Sequence, residues 1–142
     1  MKISTRGRYA LRLMIDVSLH GKDAPVRIKD IARRQGISEK YLEQIVSVLT
    51  KADFVRSSRG PQGGYRLSRD PGEYTAGSIL TLIEGSLAPV ACLEEGSKPC
   101  PHRPNCRTIP LWEGLDKVVS EYLSGFTVQD LARPESGGSD AV

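Results

Sequence analysis

Three cysteines are the residues of this 142-residue chain best suited to chemistry, and all three lie within fifteen residues of sequence. They are Cys92, Cys100 and Cys106, separated by seven and then five residues. An odd cluster of thiols, with no cysteine elsewhere in the chain, indicates metal or redox chemistry rather than a disulfide framework. Thiolates are soft ligands that suit zinc and iron-sulfur clusters.

The spacing bears on which metal these thiols would hold. Zinc knuckles pair cysteines about two to four residues apart, and no such pair occurs here. A loop without close pairs wraps a larger cluster more easily, whereas three free thiols, or a labile disulfide with one spare thiol, stay open as alternatives. Candidates for a fourth ligand are His102, Glu94, Glu95 or a group from a dimer partner. His102 is nearest in sequence and is equally consistent with an ordinary loop histidine.

The charged residues are divided unevenly along the chain. Residues 1–69 hold 15 of the 20 Lys and Arg but 6 of the 17 Asp and Glu, a net charge of +9. Residues 70–142 hold the other 5 bases and 11 acids, a net charge of −6. A basic half on a small protein indicates a polyanionic partner, most often nucleic acid. Solvated basic side chains on helix faces are the alternative, so a motif must decide.

Length and composition limit the classes of protein to consider. A chain of 142 residues is one domain or one domain with an arm, which excludes a large multi-domain enzyme. The mean hydropathy of −0.30 is that of a soluble globular protein. The apolar run at 9–19 is interrupted by Arg12 and Asp16 and is followed by no cleavage site, so we expect neither a signal peptide nor a membrane span. We therefore expect a cytoplasmic protein.

The first 51 residues carry the pattern of a helix-turn-helix. A first helix is expected over 5–19, and Gly21 follows at the C-cap position. Helical periodicity resumes near Ile28 and stops at Gly36, after which Ser38 is placed to cap a second run up to Leu49. Gly36 tolerates the positive φ that the tight turn requires. The helix after Ser38 is therefore the predicted recognition helix.

A β-hairpin is predicted directly after that helix. Strands at 54–58 and 65–68 flank a turn at 59–64 that is rich in glycine and proline. Such a hairpin would lie along a DNA backbone or reach into a minor groove. The glycine-rich turn lacks the ending of a P-loop, which argues against nucleotide binding. Four arginines mark this wing: Arg56, Arg59, Arg66 and Arg69.

The rest of the chain is predicted to be helical on either side of the cysteines. A short helix begins at Thr75 and ends at Gly85, an irregular stretch covers 86–110, and a long helix follows over 111–123. This last helix is too apolar for a monomer surface, so we expect a two-fold dimer helix. A capped final turn is predicted at 127–131, with a disordered tail after it. The expected seam of the dimer helix consists of Leu111, Leu115, Val118 and Tyr122.

Taken together, these segments resemble the Rrf2 family of bacterial winged-helix regulators over residues 1 to about 133. The resemblance implies a homodimer that binds palindromic promoter DNA. Within the family it is strongest to the iron-sulfur cluster regulators of the IscR branch, ahead of the nitric-oxide-sensing NsrR and cysteine-metabolism CymR branches. The segments that carry it are residues 2–10 (KISTRGRYA), 35–38 (QGIS), 41–44 (YLEQ), 59–65 (RGPQGGY) and the cysteine loop running into Leu111 and Trp112.

The family's DNA contacts map onto specific positions here. Gln44 is suited to a base edge, and Glu43 can accept from a cytosine amine or repel DNA that offers no donor. An arginine on a wing suits a narrow minor groove. The full expected DNA-binding set is Ser38, Lys40, Tyr41, Glu43, Gln44, Arg59 and Gly60.

The resemblance implies that Cys92, Cys100 and Cys106 bind the cluster. His102 is a candidate fourth ligand by its distance in sequence, not by the resemblance. We expect a 2Fe-2S rather than a 4Fe-4S cluster. The IscR pattern places a histidine three residues after the last cysteine, and that position is Ile109 here. An N-terminal aspartate that binds the cluster in some NsrR proteins corresponds to Arg8.

The sequence therefore predicts a mostly α-helical protein with a small β-hairpin, not an enzyme, since no catalytic constellation stands out. The expected function is a dimeric, cluster-controlled transcriptional regulator, most readily a repressor, of double-stranded promoter DNA. The alternative is a CymR-like regulator of cysteine metabolism, controlled by a partner protein or by thiol redox state without a cluster. The expected organisation is a winged helix-turn-helix domain over 1–85, a cysteine loop over 86–110, a dimerisation helix with its final turn over 111–133, and a tail over 134–142.

Overall fold

The computed structural model describes residues 2–134, and its elements follow the predicted order closely. The predicted tail beyond Pro134 lies outside the described residues. The elements are α1 (Thr5–His20), α2 (Ile28–Gln35), α3 (Glu39–Lys51), β1 (Val55–Ser58), β2 (Gly64–Leu67), α4 (Ala76–Glu84), α5 (Ile109–Ser124) and α6 (Val128–Ala132). The expected fold class, mostly helical with one β-hairpin, is confirmed.

Capping residues set most of these boundaries. Ser38 is the N-cap of α3, where its side chain accepts a hydrogen bond from the backbone N–H of Tyr41, as predicted. Gly36 ends α2 in the left-handed conformation, with φ of 67°. Thr75 and Gly85 bound α4 at the two predicted positions. The cap of α1 is Ser4, which accepts from the N–H of Gly7 at 3.0 Å.

One hydrophobic core joins the first four helices to the hairpin. The apolar faces of α1 and α3 meet α2 and the start of β1, and Ile79 brings in α4. Apolar burial on this scale is the main stabilising contribution to a domain of this size. The largest buried apolar side chains include Tyr74, Leu13, Met14, Ile31, Leu42, Ile45, Leu49 and Ile79.

The hairpin is held on the domain by a segment between the first two helices. β1 and β2 pair antiparallel, with Arg56 opposite Arg66 and Ser57 opposite Tyr65. Tyr65 also exchanges two backbone hydrogen bonds with Val26, of 2.8 and 2.9 Å. The hairpin therefore lies beside the helix-turn-helix, as the sequence predicted for a wing.

The long helix α5 begins two residues earlier than predicted. Pro110 occupies the first turn, where its missing N–H costs no hydrogen bond, and Ile109 is buried at the helix start. The predicted seam of α5, from Leu111 to Tyr122, lies exposed, with its four side chains 37% to 65% accessible. Within residues 2–134, α5 packs mainly against α4.

The last helix returns to the domain instead of continuing along α5. Val128 is fully buried, and its N–H donates to the carbonyl of Tyr74 at 2.9 Å. The N–H of Ala76 donates to the carbonyl of Phe126 at 2.8 Å, and Thr75 and Thr127 form an antiparallel bridge. α6 consequently packs against α1 beside the start of α4.

Candidate nucleic-acid interface and cysteine segment

One face of α3 is free for a partner while the other is committed to the core. Leu42, Ile45 and Leu49 are buried. Lys40, Glu43 and Gln44 are exposed on the other side of the helix, at the spacing that places side chains on one face. These three expected DNA-binding residues therefore project together from the domain.

The exposed face of α3 borders a recess that also involves α1. This recess, of about 600 Å³, is lined by Arg6 together with Lys40, Glu43, Gln44, Ser47 and Val48. Arg6 was not among the residues expected from the sequence. Its signals were its position in the first turn of α1, in the basic half of the chain, and its place in the segment 2–10 that carries the resemblance.

An aromatic contact sets the spacing between the same two helices. The rings of Tyr9 and Tyr41 meet edge to face, with centroids 5.5 Å apart. The Arg12 guanidinium lies 5.2 Å from the centre of the Tyr9 ring and bonds to Gln35 at the end of α2. Tyr41 is thus half-buried against α1, and its ring serves helix packing as well as any contact with DNA.

A buried carboxylate fixes α2 relative to α1. Asp16 of α1 accepts two hydrogen bonds from Arg34, of 2.7 and 3.0 Å, and a third from the side chain of Gln35. Burial raises the pKa of Asp16, but the hydrogen bonds from Arg34 and Gln35 and the Arg34 charge outweigh it, so the pKa lies below its ordinary value. His20, expected to be a structural or surface residue, borders this network with Nδ1 at 3.0 Å from the Asp16 carbonyl oxygen.

The hairpin turns one face towards α3, the predicted recognition helix. Ser57 and Tyr65 share a recess of about 380 Å³ with Glu43 and Thr50 of α3. Because side chains alternate along a strand, Arg56 and Arg66 occupy the other face of the hairpin.

Three of the four wing arginines are engaged by the protein itself. Arg56 lies 3.5 Å from Asp53, and Arg66 bonds to the Asp23 carbonyl. The Arg69 guanidinium stacks 4.9 Å from the centre of the buried Tyr74 ring. Arg59 is thus the wing arginine best placed for a ligand, exposed at the tip beside Gly60.

An additional arginine holds that tip. The guanidinium of Arg27, at the N-terminal end of α2, donates a hydrogen bond to the Pro61 carbonyl oxygen in the turn. The turn carbonyl is two residues from Arg59. Sequence reasoning missed Arg27, because nothing in the local pattern links residue 27 to a turn more than thirty residues away.

The cysteine segment, residues 86–108, connects α4 to α5 and contains two short 3₁₀ turns, Ala91–Leu93 and Arg103–Asn105. Cys92 lies in the first turn, and Cys106 ends the second. All three cysteines are free and half-buried. The segment is tied to α5 by an ion pair of 2.9 Å between Arg103 and Glu113.

The structure does not bring the expected ligands into one site. Among residues 2–134, no group of three or more His, Cys, Asp or Glu side chains is arranged to hold a metal ion. His102 is exposed at the start of the second 3₁₀ turn. Ile109 is buried in the domain. The chemistry of the donor set, three soft thiols in one connecting segment, nevertheless fits an iron-sulfur cluster.

Cys106 has a distinct environment among the three thiols. Its Sγ lies 3.4 Å from the hydroxyl oxygen of Thr108. This hydrogen bond, aided by backbone N–H groups at the start of α5, lowers the pKa of the Cys106 thiol from its ordinary value.

The acidic residues near the cysteines face a separate cleft. Glu94, Glu95, Glu84 and Asp116 line a cleft of about 940 Å³ between α4, the cysteine segment and α5.

Among the described residues, no helix is long and apolar enough to cross a membrane.

Comparison with known proteins places this architecture among bacterial regulators. The family model Rrf2, described as an iron-dependent transcriptional regulator, matches residues 3–134. The chain is 42% identical to protein rrf2 of Nitratidesulfovibrio vulgaris, over 96% of this chain and 90% of that protein. It is 41% identical to the HTH-type transcriptional regulator IscR of Aliivibrio salmonicida, over 92% of this chain and 77% of that one.

A solved structure is similar over nearly the whole fold. The global cysteine regulator CymR of B. subtilis superposes with a TM-score of 0.76 and 40% identity, covering 93% of this chain and 96% of that chain. The expected resemblance and the expected absence of an enzymatic role are thereby confirmed.

Proposed function

The chain belongs to the Rrf2 family of DNA-binding transcriptional regulators, and we propose that it is a homodimeric repressor whose operator affinity depends on an iron-sulfur cluster. The observation that carries the DNA-binding part is the shared exposure of Lys40, Glu43 and Gln44 on α3. A recognition helix reads base edges in the major groove with just such a projecting face. No polar group on this face is needed to stabilise the core.

We assign separate roles to the residues of this interface. Gln44 pairs with a base edge, and Glu43 accepts from a cytosine amine or disfavours sites without a donor. Lys40, Ser38 and Tyr41 contact backbone phosphates, which fix the register on the duplex. Arg59 and Gly60 reach a minor groove from the wing tip. The hydroxyl of Ser38 already accepts a bond from the Tyr41 N–H, so its O–H remains free to donate to phosphate.

The dimer is proposed from the exposed apolar seam of α5. Leu111, Val118 and Tyr122 are each more than 60% exposed on a single helix. An apolar strip of this kind is covered in stable proteins, and a second copy of the helix covers it symmetrically. Two recognition helices in such a dimer must reach half-sites about 34–36 Å apart.

The cluster would be held by Cys92, Cys100 and Cys106, with His102 or a group from the second protomer as the fourth ligand. A bound iron-sulfur cluster supplies a centre that responds to oxidants and to iron supply. Ile109 cannot serve as a ligand, because its side chain is hydrocarbon and is buried. The cysteine segment leads directly into α5, so its conformation bears on the placement of the two recognition helices.

The test is an anaerobic purification in which iron, sulfide and the visible spectrum are measured on the sample used for DNA binding. The operator would first be selected from a random duplex library. Near-stoichiometric iron and sulfide, with operator affinity or site choice changing upon cluster removal, would support the proposal. Unchanged binding by a variant with all three cysteines replaced by alanine would overturn the cluster-controlled part.

A second candidate is a CymR-like regulator without a cluster, controlled by thiol oxidation or by a partner protein. The observation in its favour is that the three thiols are free and do not converge in residues 2–134. This hypothesis would be favoured by a colourless protein that binds the operator. Its operator binding should be lost reversibly upon oxidation of the thiols, or upon addition of a partner protein from the same cell.

A further inference from the structure

Arg6 lies beside the recognition helix, with no side-chain hydrogen bond or ion pair to any residue of 2–134. It shares the recess of about 600 Å³ with Lys40, Glu43 and Gln44. Among the described residues it forms no ion pair, although Glu43 lines the same recess. An exposed, unpaired guanidinium next to a helix that faces DNA is suited to a backbone phosphate, which it can bind with two parallel hydrogen bonds.

The position of Arg6 is set by the cap of its helix. Two residues earlier, Ser4 accepts a hydrogen bond from the N–H of Gly7 and so starts α1. Ser4 is in turn held by Glu84, whose Oε1 accepts from the Ser4 hydroxyl at 2.5 Å and from the Ser4 N–H at 3.1 Å. A carboxylate at this end of a helix is also favoured by the helix dipole.

The close approach of Glu84 depends on a glycine. A side-chain carbon at Gly7 would lie 2.4 Å from the Glu84 Oε1 and 3.2 Å from Leu80. Such distances require the carboxylate to move away from Ser4. The absence of a side chain at residue 7 therefore allows α4 to dock against the first turn of α1.

Glu84 also stands at the boundary of the cysteine segment. It is the last residue of α4, Gly85 caps that helix, and residue 86 begins the segment that carries the three thiols. One carboxylate thus contacts the helix that carries Arg6 and directly precedes the residues proposed to sense the signal.

We propose that Arg6 binds a backbone phosphate of the operator beside the recognition helix, and that Glu84 is the positioning residue that holds it there through Ser4. This proposal rests on the DNA-binding function proposed above. It gives the cysteine segment a route to the DNA within one protomer, in addition to any route through α5.

The first experiment measures the salt dependence of binding to a fluorescent 30-base-pair duplex of mixed sequence. For Arg6→Ala, we expect several-fold weaker binding and a slope of log affinity against log salt that falls by about 1 per protomer. Arg6→Lys should keep most of the slope, since it keeps the charge. Arg8→Ala is the matched control, because Arg8 donates to Thr5 and does not line the recess.

The outcomes separate the two proposals. If the wild-type protein does not bind the duplex in low salt, the proposed DNA-binding function fails. If the wild type binds and Arg6→Ala leaves its slope unchanged, or if Arg8→Ala lowers the slope equally, the assignment of Arg6 is overturned.

The second experiment is a double-mutant cycle between residues 6 and 84. Glu84→Ala should weaken binding by roughly threefold, the order expected when one side chain must be reordered on binding. It should have no further effect in the Arg6→Ala background. Glu84→Gln, which keeps an acceptor for the Ser4 N–H, should retain binding. The positioning role would be overturned if Glu84→Ala weakened DNA binding equally in the wild-type and Arg6→Ala backgrounds. It would also be overturned if Glu84→Ala left DNA binding unchanged in both.

Discussion

The guanidinium of Arg34 in α2 donates two parallel hydrogen bonds to the carboxylate of Asp16 in α1, although Asp16 is only 1% exposed. This bidentate pair crosses the joint between the first helix and the helix-turn-helix. Among the described residues, no buried polar side-chain atom lacks a partner, so the pair is fully accommodated. Its removal leaves polar groups without partners inside the domain.

Asp16→Ala should therefore reduce the free energy of unfolding by about 2–4 kcal/mol, because Arg34 and Gln35 lose a buried acceptor. The measurement is urea unfolding followed by circular dichroism. Asp30→Ala is the control, since within residues 2–134 the Asp30 side chain makes a single ion pair, at 3.5 Å with the exposed Arg33, and its loss should change stability by less than about 0.5 kcal/mol. Equal losses in both variants would contradict this account.

The same carboxylate should make stability depend on acid. The pKa of Asp16 in the folded protein is below its ordinary value of 3.8, so folding is favoured by its ionisation above that pH. As the pH falls through the depressed pKa, this contribution is lost. The difference in unfolding free energy between the wild type and Asp16→Asn should consequently become smaller as the pH is lowered from about 5 to about 2, the range in which carboxyl groups titrate. A constant difference would argue against the assignment.

Two wing arginines provide a matched pair for DNA binding. Arg59→Ala should weaken operator binding and relax preference at the minor-groove positions it reaches. Arg56→Ala should have a smaller effect, since Arg56 lies on the face of the hairpin turned away from α3 and pairs with Asp53. Titrations with the selected operator and with A·T-to-G·C variants would measure both. The reverse ranking would show that the wing meets DNA with its other face.

Arg27 should act on DNA binding indirectly, through the wing tip. Arg27→Ala removes the hydrogen bond to the Pro61 carbonyl, so amide hydrogen exchange should become faster in the turn at 59–63 while α3 keeps its protection. The affinity of Arg27→Ala for the operator should fall as well, because the wing tip is less well ordered. Arg33→Ala serves as the control, because Arg33 is an exposed arginine of α2 that pairs with Asp30. An unchanged exchange rate in the turn would rule out this role.

The role of the α5 seam in dimer formation can be tested by introducing one charge into it. Val118→Lys places an ammonium in the centre of the proposed dimer surface, so sedimentation should show a monomer at concentrations where the wild type is dimeric. Glu121→Lys is the control, because Glu121 is an exposed residue of the same helix that pairs weakly with Lys117. A dimer that persists in Val118→Lys would place the interface elsewhere.

The local elements of this fold could be predicted from sequence because their signals are local. Gly36, Ser38 and Thr75 mark helix ends by backbone and capping preferences that act over a few residues. The start of α5 was placed two residues late, since Pro110 is equally compatible with a loop and with a first helical turn.

The parts that could not be predicted depend on contacts between distant residues. Arg6, Arg27 and the pair of Asp16 with Arg34 acquire their roles only when helices pack, and exposed arginines carry no periodic signal of their own. The cysteines were recognisable from residue type and spacing, but the structure does not bring them together among residues 2–134, and spacing along the chain gives no means of predicting that. Residue type therefore indicated the chemistry, and tertiary packing decided which side chains are available for it.

The bridge between Thr75 and Thr127 closes the stretch of chain that contains α4, the cysteine segment and α5. The Ala76 N–H bonds to the Phe126 carbonyl, and Val128 returns to the core beside Tyr74. In architectural terms, the cysteine segment and α5 leave the domain at the end of α4 and return to it beside the start of that helix. The cysteine segment can consequently change in length or in number of thiols during evolution while the helices of the winged domain keep their contacts, because both of its flanks are fixed on that domain.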